Sequence, residues 1–246
     1  MEEYGDIHQR ISEAIERTMS SIAAAAKKSG RKKSSISVIA VTKTVSLVHI
    51  EEAIKWGLQV LGESKVQEAL PKMEELSTRN LFKSSSNVIR WHLIGHLQKN
   101  KVKFVVGNFD LIHSVDSLRL ARLINDRASS LKIIQNILLQ VNISGELNKY
   151  GFSPDKILPI VKEVSQMNNI SLRGLMTIPP HGESEKKTRN IFSTLRVLSE
   201  MINEERIDNI KMKELSMGMS DDYMIAIEEG ATMVRIGRGI FGERRH

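Results

Sequence analysis

Cysteine is absent from this 246-residue chain. Its absence excludes disulfides, thiolate metal sites and cysteine nucleophiles together. Aromatic residues are scarce, at 4%, which leaves few platforms on which single-stranded bases could stack. No apolar run approaches the ~20 residues that a membrane-spanning helix needs. The acidic start, Met1-Glu2-Glu3-Tyr4, leads into an amphipathic pattern and fits neither a signal peptide nor a transit peptide. Zinc-finger spacing is missing, which removes one route to nucleic-acid binding, and the Gly-x-Ser-x-Gly elbow and the His-Glu-x-x-His motif are missing too, so hydrolase chemistry has no support. No Pro/Gly/Ser-rich linker divides the chain, and Ser84-Ser85-Ser86-Asn87 reads as a surface loop. These absences predict one domain over residues 1–246, soluble and cytoplasmic or in another intracellular compartment, with no membrane partner. Without export, the acceptor patterns Asn142-Ile-Ser144 and Asn169-Ile-Ser171 carry no meaning.

What is present is a 41% hydrophobic composition, enough for a substantial core, and a net charge of +7. The basic clusters are short: Arg31-Lys32-Lys33, then Lys99, Lys101 and Lys103, then Arg244-Arg245. With so few aromatics, this charge is expected to serve solubility and the attraction of anions rather than nucleic-acid binding. Ile7, Ile11, Ile15, Met19, Ile22 and Ala26 recur at helical spacing over residues 6–28, and Ser29-Gly30 ends the pattern. Beyond it, β-rich runs near 36–41, 58–62, 88–94, 110–115, 135–142, 171–178, 212–216 and 232–236 alternate with helical patterns near 47–56, 64–77, 97–106, 117–130, 154–168, 184–204 and 221–229. Eight strands alternating with helices predict an α/β fold, a (β/α)8 TIM barrel, with an open doubly wound sheet as the other arrangement the pattern allows. The strands lack clean alternation, as expected when both faces are buried. The N-terminal helix is expected to fill the eighth helical slot.

On such a barrel, chemistry sits at the C-terminal ends of the strands, and phosphates often bind after the seventh and eighth. Lys43 follows the apolar run Ile36–Val41 and falls at such an end. A lysine there can attack an aldehyde once it is neutral, a form favoured by partial burial beside other cations. The turns Ser216-Met-Gly-Met-Ser220 and Arg235-Ile-Gly-Arg-Gly239 fall after the last two strands. Gly218 lets backbone approach a ligand closely, and Ser220 is placed to cap a helix starting at Asp221. An amine together with a phosphate cradle suggests an aldehyde cofactor that carries a phosphate. Residues 237–242 spell Gly-x-Gly-x-x-Gly, but too little chain follows for the second strand and ribose-binding acid of a dinucleotide site. His92 and His96 lie four apart without an identifiable third ligand, so they read as packed or loop histidines.

Several segments follow one another in a specific order: Val41-Thr-Lys43-Thr, Gly62-Glu63-Ser-Lys-Val-Gln67-Glu68, Trp91-His-Leu-Ile-Gly95 continuing to Lys101, Ser114-Val-Asp116-Ser117, Gln140-Val-Asn142 with Lys149-Tyr-Gly151, Gly174-Leu-Met176-Thr177, Glu214-Leu-Ser216-Met-Gly-Met-Ser220 and Val234-Arg235-Ile-Gly237. Nearly the whole chain thereby resembles the pyridoxal phosphate homeostasis protein family, single-domain relatives of the alanine racemase barrel of fold type III. The resemblance implies that Lys43 carries pyridoxal 5′-phosphate as a Schiff base, that Ser216, Ser220, Gly237 and the backbone of Arg238 hold the phosphate, and that Arg235 faces the pyridine nitrogen. A permanently charged guanidinium there disfavours ring protonation and weakens the ring as an electron sink. Two positions depart from the family pattern: Ser64 stands where Asn is usual, and Arg238 where Ser or Thr is frequent.

The resemblance also implies an intracellular vitamin B6 homeostasis role rather than robust catalysis, with possible delivery of the cofactor to apoenzymes. Racemisation needs an acid/base on each face of the cofactor. Alanine racemases take the second from an added domain of a partner subunit. Here the barrel consumes the chain, and Tyr4, Tyr150 and Tyr223 sit in no matching motif. A monomer without enzymatic function is therefore expected, with a weak amino-acid racemase or lyase as the alternative.

Overall fold

The structure is a computed structural model that describes all residues except 1–3, 80–87, 147 and 244–246. The Ser84–Asn87 loop and the Arg244-Arg245 cluster lie outside the described residues. In chain order the elements are α1 (Tyr4–Lys28), β1 (Ser37–Val41), α2 (Leu47–Lys55), β2 (Val60–Glu63), α3 (Val66–Thr78), β3 (Arg90–Leu93), α4 (Val102–Val105), β4 (Leu111–Val115), α5 (Leu118–Leu131), β5 (Gln135–Gln140), α6 (Ile157–Val164), β6 (Ile170–Met176), α7 (Glu185–Glu204), β7 (Glu214–Ser216), α8 (Tyr223–Glu228), β8 (Met233–Ile236) and α9 (Arg238–Phe241). The strands pair in parallel in sequence order, and β8 returns to β1, closing a (β/α)8 barrel. The expected barrel is the observed one, and the open-sheet alternative is excluded by the register of Ser37–Ala40 against Met233–Ile236.

Helix α1 packs against α2, α8 and α9. That places it in the ring of helices where a helix after β8 would otherwise lie, as the pattern predicts. Its buried stripe is the expected one: Ile7, Ile11, Ile15, Ile22 and Ala26. The segment near 97–106 differs from expectation. It forms a 3-10 turn over Lys99–Lys101 and the single turn α4, rather than one full helix.

The barrel interior explains where the polar site begins. Ile39, Val60, Leu111, Leu138, Met176 and Met233 form a compact apolar plug, with Ile94 packed on it. Side chains two apart on a strand share a face. Leu111 and Met233 therefore put His113 and Arg235 on the inner face too, one pleat nearer the C-terminal rim. Gly62 follows Val60 on the same logic. A Cβ at Gly62 would lie 2.7 Å from Ile39 Cγ2, so a larger residue would collide with the plug. The remaining apolar side chains form the larger core between strands and helices.

Candidate functional site

Lys43 sits two residues past the end of β1, in a turn, and is half-buried. The turn is held at both ends. Thr42 N–H donates to Gly62 O at 3.0 Å, and Val45 N–H donates back to Thr42 O at 3.0 Å. Between them, Thr44 adopts φ 60°, a left-handed conformation that a β-branched residue rarely accepts. Its amide donates to Glu68 Oε1 and its hydroxyl donates to Lys43 O at 2.7 Å. Strain of this kind persists only when surroundings impose it, and here a charged cluster does so. Lys72 Nζ donates to Thr42 O at 2.6 Å, Glu63 Oε1 at 2.8 Å and Glu68 Oε1 at 2.7 Å. Thr42 Oγ1 also donates to Glu63 Oε1, at 2.7 Å.

Glu63 is fully buried, and its Oε2 has no hydrogen-bond partner among the described residues. Burial pushes the Glu63 carboxyl above its ordinary value, against the opposing hydrogen bonds from Lys72 and Thr42. At Glu68 burial also pushes upward. The Lys72 and Thr44 hydrogen bonds together outweigh it, and the carboxyl lies below its ordinary value.

A second cluster lies inside the barrel. Arg235 Nη1 donates to Ser216 Oγ at 2.6 Å, and Nη2 donates to Thr177 O at 3.0 Å. Ser216 Oγ lies 2.8 Å from His113 Nδ1, and His113 Nε2 lies 3.0 Å from His92 Nδ1. All five residues are buried. Desolvation lowers Arg235 to about 10, with Asp222 opposing, so the guanidinium stays charged at neutral pH. His92 is lowered to about 3 by burial and by Arg90, and His113 is held well below its ordinary value by burial, His92 and Arg235. Both rings are therefore neutral.

The last two strands end in closely apposed loops. Gly239 N–H donates to Ser220 Oγ at a long 3.3 Å, and Thr18 Oγ1 donates to Gly239 O at 3.3 Å. Gly218 takes φ +92°, and a Cβ there would lie 2.5 Å from Ala226 Cβ; only glycine fits this turn. Asp222 Oδ1 accepts from Met219 N–H at 2.5 Å, while burial raises its carboxyl. Arg238 turns its guanidinium to Asp221 at 2.5 Å and Glu243 at 3.3 Å, so its side chain reaches the residue next to Ser220 while the main chain of Gly239 reaches Ser220 itself.

One expectation needs correction. Helix α8 begins at Tyr223, with Asp222 at its N-cap position, so Ser220 does not cap it; the Ser220 hydroxyl instead accepts from Gly239. Ser216 is fully buried, with its hydroxyl committed to Arg235 and His113. Of the other expected residues, Ser220, Gly237 and Arg238 come together through the Gly239–Ser220 contact. Lys43 and Arg235 lie at the C-terminal ends of the adjacent strands β1 and β8.

Sequence reasoning missed His113, Thr177 and Lys72. A histidine inside the apolar strand Leu111-Ile-His-Ser-Val115 was the available signal for the first. His92 is packed, as its motif suggested. His96 is at the rim, with Nδ1 3.1 Å from Asp116 Oδ2 and its ring stacked on Tyr150 at 3.7 Å. No group of residues able to hold a metal ion occurs among the described residues. No helix among them is long and apolar enough to cross a membrane.

A closed parallel barrel with a lysine beyond β1 and glycine loops beyond β7 and β8 defines a class: the alanine racemase N-terminal domain, whose family model matches residues 12–245. Alanine racemase from Clostridium difficile shares the fold, with a TM-score of 0.72 at 17% identity over 97% of this chain and 58% of that one. Nearer relatives narrow the class. The pyridoxal phosphate homeostasis protein of Aquifex aeolicus is 40% identical over 95% of this chain and 98% of its own length. The protein of the same name from Escherichia coli K12 is 37% identical over 91% and 92%. PipY of Synechococcus elongatus, solved with PLP bound, superimposes with a TM-score of 0.77 at 35% identity, covering 90% of this chain and 100% of that one. The chain belongs to the pyridoxal phosphate homeostasis protein family.

Proposed function

We propose that this chain binds pyridoxal 5′-phosphate reversibly, covalently on Lys43, and serves intracellular vitamin B6 homeostasis rather than catalysis. The observation that carries the reading is Arg235. The residue is 3% exposed, yet its hydrogen bonds go to a hydroxyl and a carbonyl, with no carboxylate in contact among the described residues. A buried cation whose hydrogen-bond partners are all neutral, with Asp222 acting on it only without contact, is a costly arrangement, and it suits a ring-nitrogen acceptor. The long Gly239–Ser220 contact and the Gly218 turn, where no Cβ fits, suit a phosphate. The donor set therefore fits the cofactor.

In this reading, Lys43 supplies the amine, and the Lys72–Glu63–Glu68 cluster fixes its turn. Ser220 and the main chain of Gly237, Arg238 and Gly239 hold the phosphate. Arg235 faces the pyridine nitrogen and keeps it unprotonated, and Ser216 orients Arg235. The cofactor supplies a carbonyl that condenses with a neutral amine and a ring that can accept electrons. Residues 1–246 act as one domain and as a monomer, in the cytoplasm, holding the cofactor for transfer to apoenzymes.

The test is the absorption spectrum of the purified protein with added pyridoxal 5′-phosphate. The wild type is expected to develop a visible band that Lys43→Ala lacks. An unchanged band in Lys43→Ala overturns the reading. A weak racemase or lyase is the second reading, supported by the titratable His96–Asp116 pair and Tyr150 on the same rim. Prolonged incubation with alanine or serine enantiomers, followed by chiral chromatography, separates the two: turnover at ordinary enzyme rates favours the enzyme.

A further inference from the structure

His92, His113, Ser216 and Arg235 come from four different strands, β3, β4, β7 and β8, and meet in one buried line. The direction of that line follows from counting protons. Arg235 can only donate, so Ser216 Oγ accepts from Nη1. The Ser216 hydroxyl has one proton of its own, and buried donors find acceptors. Its remaining contact is His113 Nδ1 at 2.8 Å, so Nδ1 must be the bare nitrogen. The His113 proton then sits on Nε2 and is donated to His92 Nδ1 at 3.0 Å. The result is a one-way chain, Arg235 to Ser216 to His113 to His92. Each donor is aligned with the next, an arrangement in which the bonds polarise one another.

We propose that His113 is a positioning residue: by accepting the Ser216 proton at Nδ1, it turns the Ser216 lone pair toward Arg235 and fixes the guanidinium that faces the cofactor ring. The cofactor end of this inference rests on the reading given above; the proton order does not. The opposite tautomer would aim a second donor at Ser216 and leave the serine proton without an acceptor inside the barrel. That is a cost of about 1–3 kcal/mol for a buried unpaired group. The charged and titratable groups that act on this line are Arg235, Arg90 and Asp222. Neutral rings in both histidines keep a second and third positive charge away from the guanidinium.

Three substitutions separate positioning from packing. In His113→Asn, the amide oxygen stands near the place of Nδ1 and can still accept from Ser216. In His113→Gln, the amide reaches the place of Nε2 and keeps only the His92 contact. His113→Leu keeps neither. Titration with pyridoxal 5′-phosphate is expected to show affinity within about twofold of wild type for Asn. Gln and Leu are expected to weaken it about tenfold, the worth of one hydrogen bond to a charged group. The absorption of the bound cofactor against pH is expected to move in Gln and Leu toward ring protonation and to stay in place in Asn.

In the cofactor-free wild type, nitrogen-15 NMR is expected to show His113 bare at Nδ1, protonated at Nε2, and without titration from about pH 5 to 8, where ordinary histidines change charge. A protonated Nδ1, or equal losses of affinity in all three variants that track their stability, overturns the proposal. If the wild type takes up no cofactor, the reading of the site fails by itself, and the NMR tautomer still decides the chain of protons. Should His113→Leu not fold, the Asn and Gln pair carries the comparison.

Discussion

Two polar clusters serve the same rim by opposite means. Around Lys43, a lysine and two carboxylates clamp a strained turn: Lys72 reaches Glu63, Glu68 and Thr42 O, while Thr44 sits at φ 60°. Around Arg235, the hydrogen bonds go only to neutral dipoles, the Thr177 carbonyl and the Ser216 hydroxyl that His113 also contacts, while Asp222 acts on the charge without touching it. The first cluster pairs a cation with carboxylates in direct contact and uses them to hold backbone in place. The second gives its cation no carboxylate in contact, only the more distant charge of Asp222. The lesson is that a fixed turn suits an amine that must be reached, whereas a buried cation hydrogen-bonded only to neutral groups suits a ligand that brings a further acceptor.

The comparison can be broken first at Lys72. Lys72→Met removes the cation from two carboxylates, one fully buried, and is expected to destabilise the fold by about 3 kcal/mol. Chemical denaturation measures it, and adding Glu63→Gln is expected to restore part of the loss. No loss in Lys72→Met would mean that charge does not clamp the turn.

The second cluster is sharpened by pH. His92 is lowered from 6.5 to about 3 in the folded protein, and His113 is lowered as well. The unfolded chain then binds more protons below its own value, so stability is fully present above about pH 6.5 and is lost as pH falls. From pH 7 to 5 His92 alone is expected to remove about 2 kcal/mol, and His113 adds in the same direction. The raised Glu63 and Asp222 carboxyls act oppositely, since the folded state holds their protons longer. Their effect starts near the ordinary carboxylate values and extends upward from them, so it opposes the histidines at the acid end of the range. Denaturation curves at pH 5, 6 and 7 are expected to flatten by about one proton in His92→Asn; an unchanged slope contradicts the neutral-ring assignment.

The smallest effect belongs to Thr44. Thr44→Asn is expected to stabilise by about 1 kcal/mol, because asparagine accepts the left-handed region that threonine resists. It is expected to weaken cofactor uptake only if the Thr44 hydroxyl bond to Lys43 O positions the amine.

Much of this architecture was legible in the residues. The alternation of β-rich and helical segments indicated the barrel, and α1 packs against α2, α8 and α9 as its stripe predicted. Lys43 stood out as a lysine closing an apolar run. The glycine loops stood out because they occupy the strand ends where phosphates bind. What sequence could not reveal depended on register. Ser216 and Ser220 look equivalent in Ser-Met-Gly-Met-Ser, yet the end of β7 points the first into the barrel and the turn at Gly218 carries the second to the loop of Gly239. His113 became significant only once β4 and β7 faced each other across the interior. Lys72 gained its role only when α3 folded back over the end of β1.

The most direct test of the central claim is borohydride reduction of the protein loaded with pyridoxal 5′-phosphate, followed by peptide mapping in a mass spectrometer. The account predicts that the retained label lies on the peptide carrying Lys43, and that Lys43→Ala retains none. A label spread over other lysines, or one that persists in Lys43→Ala, would contradict it.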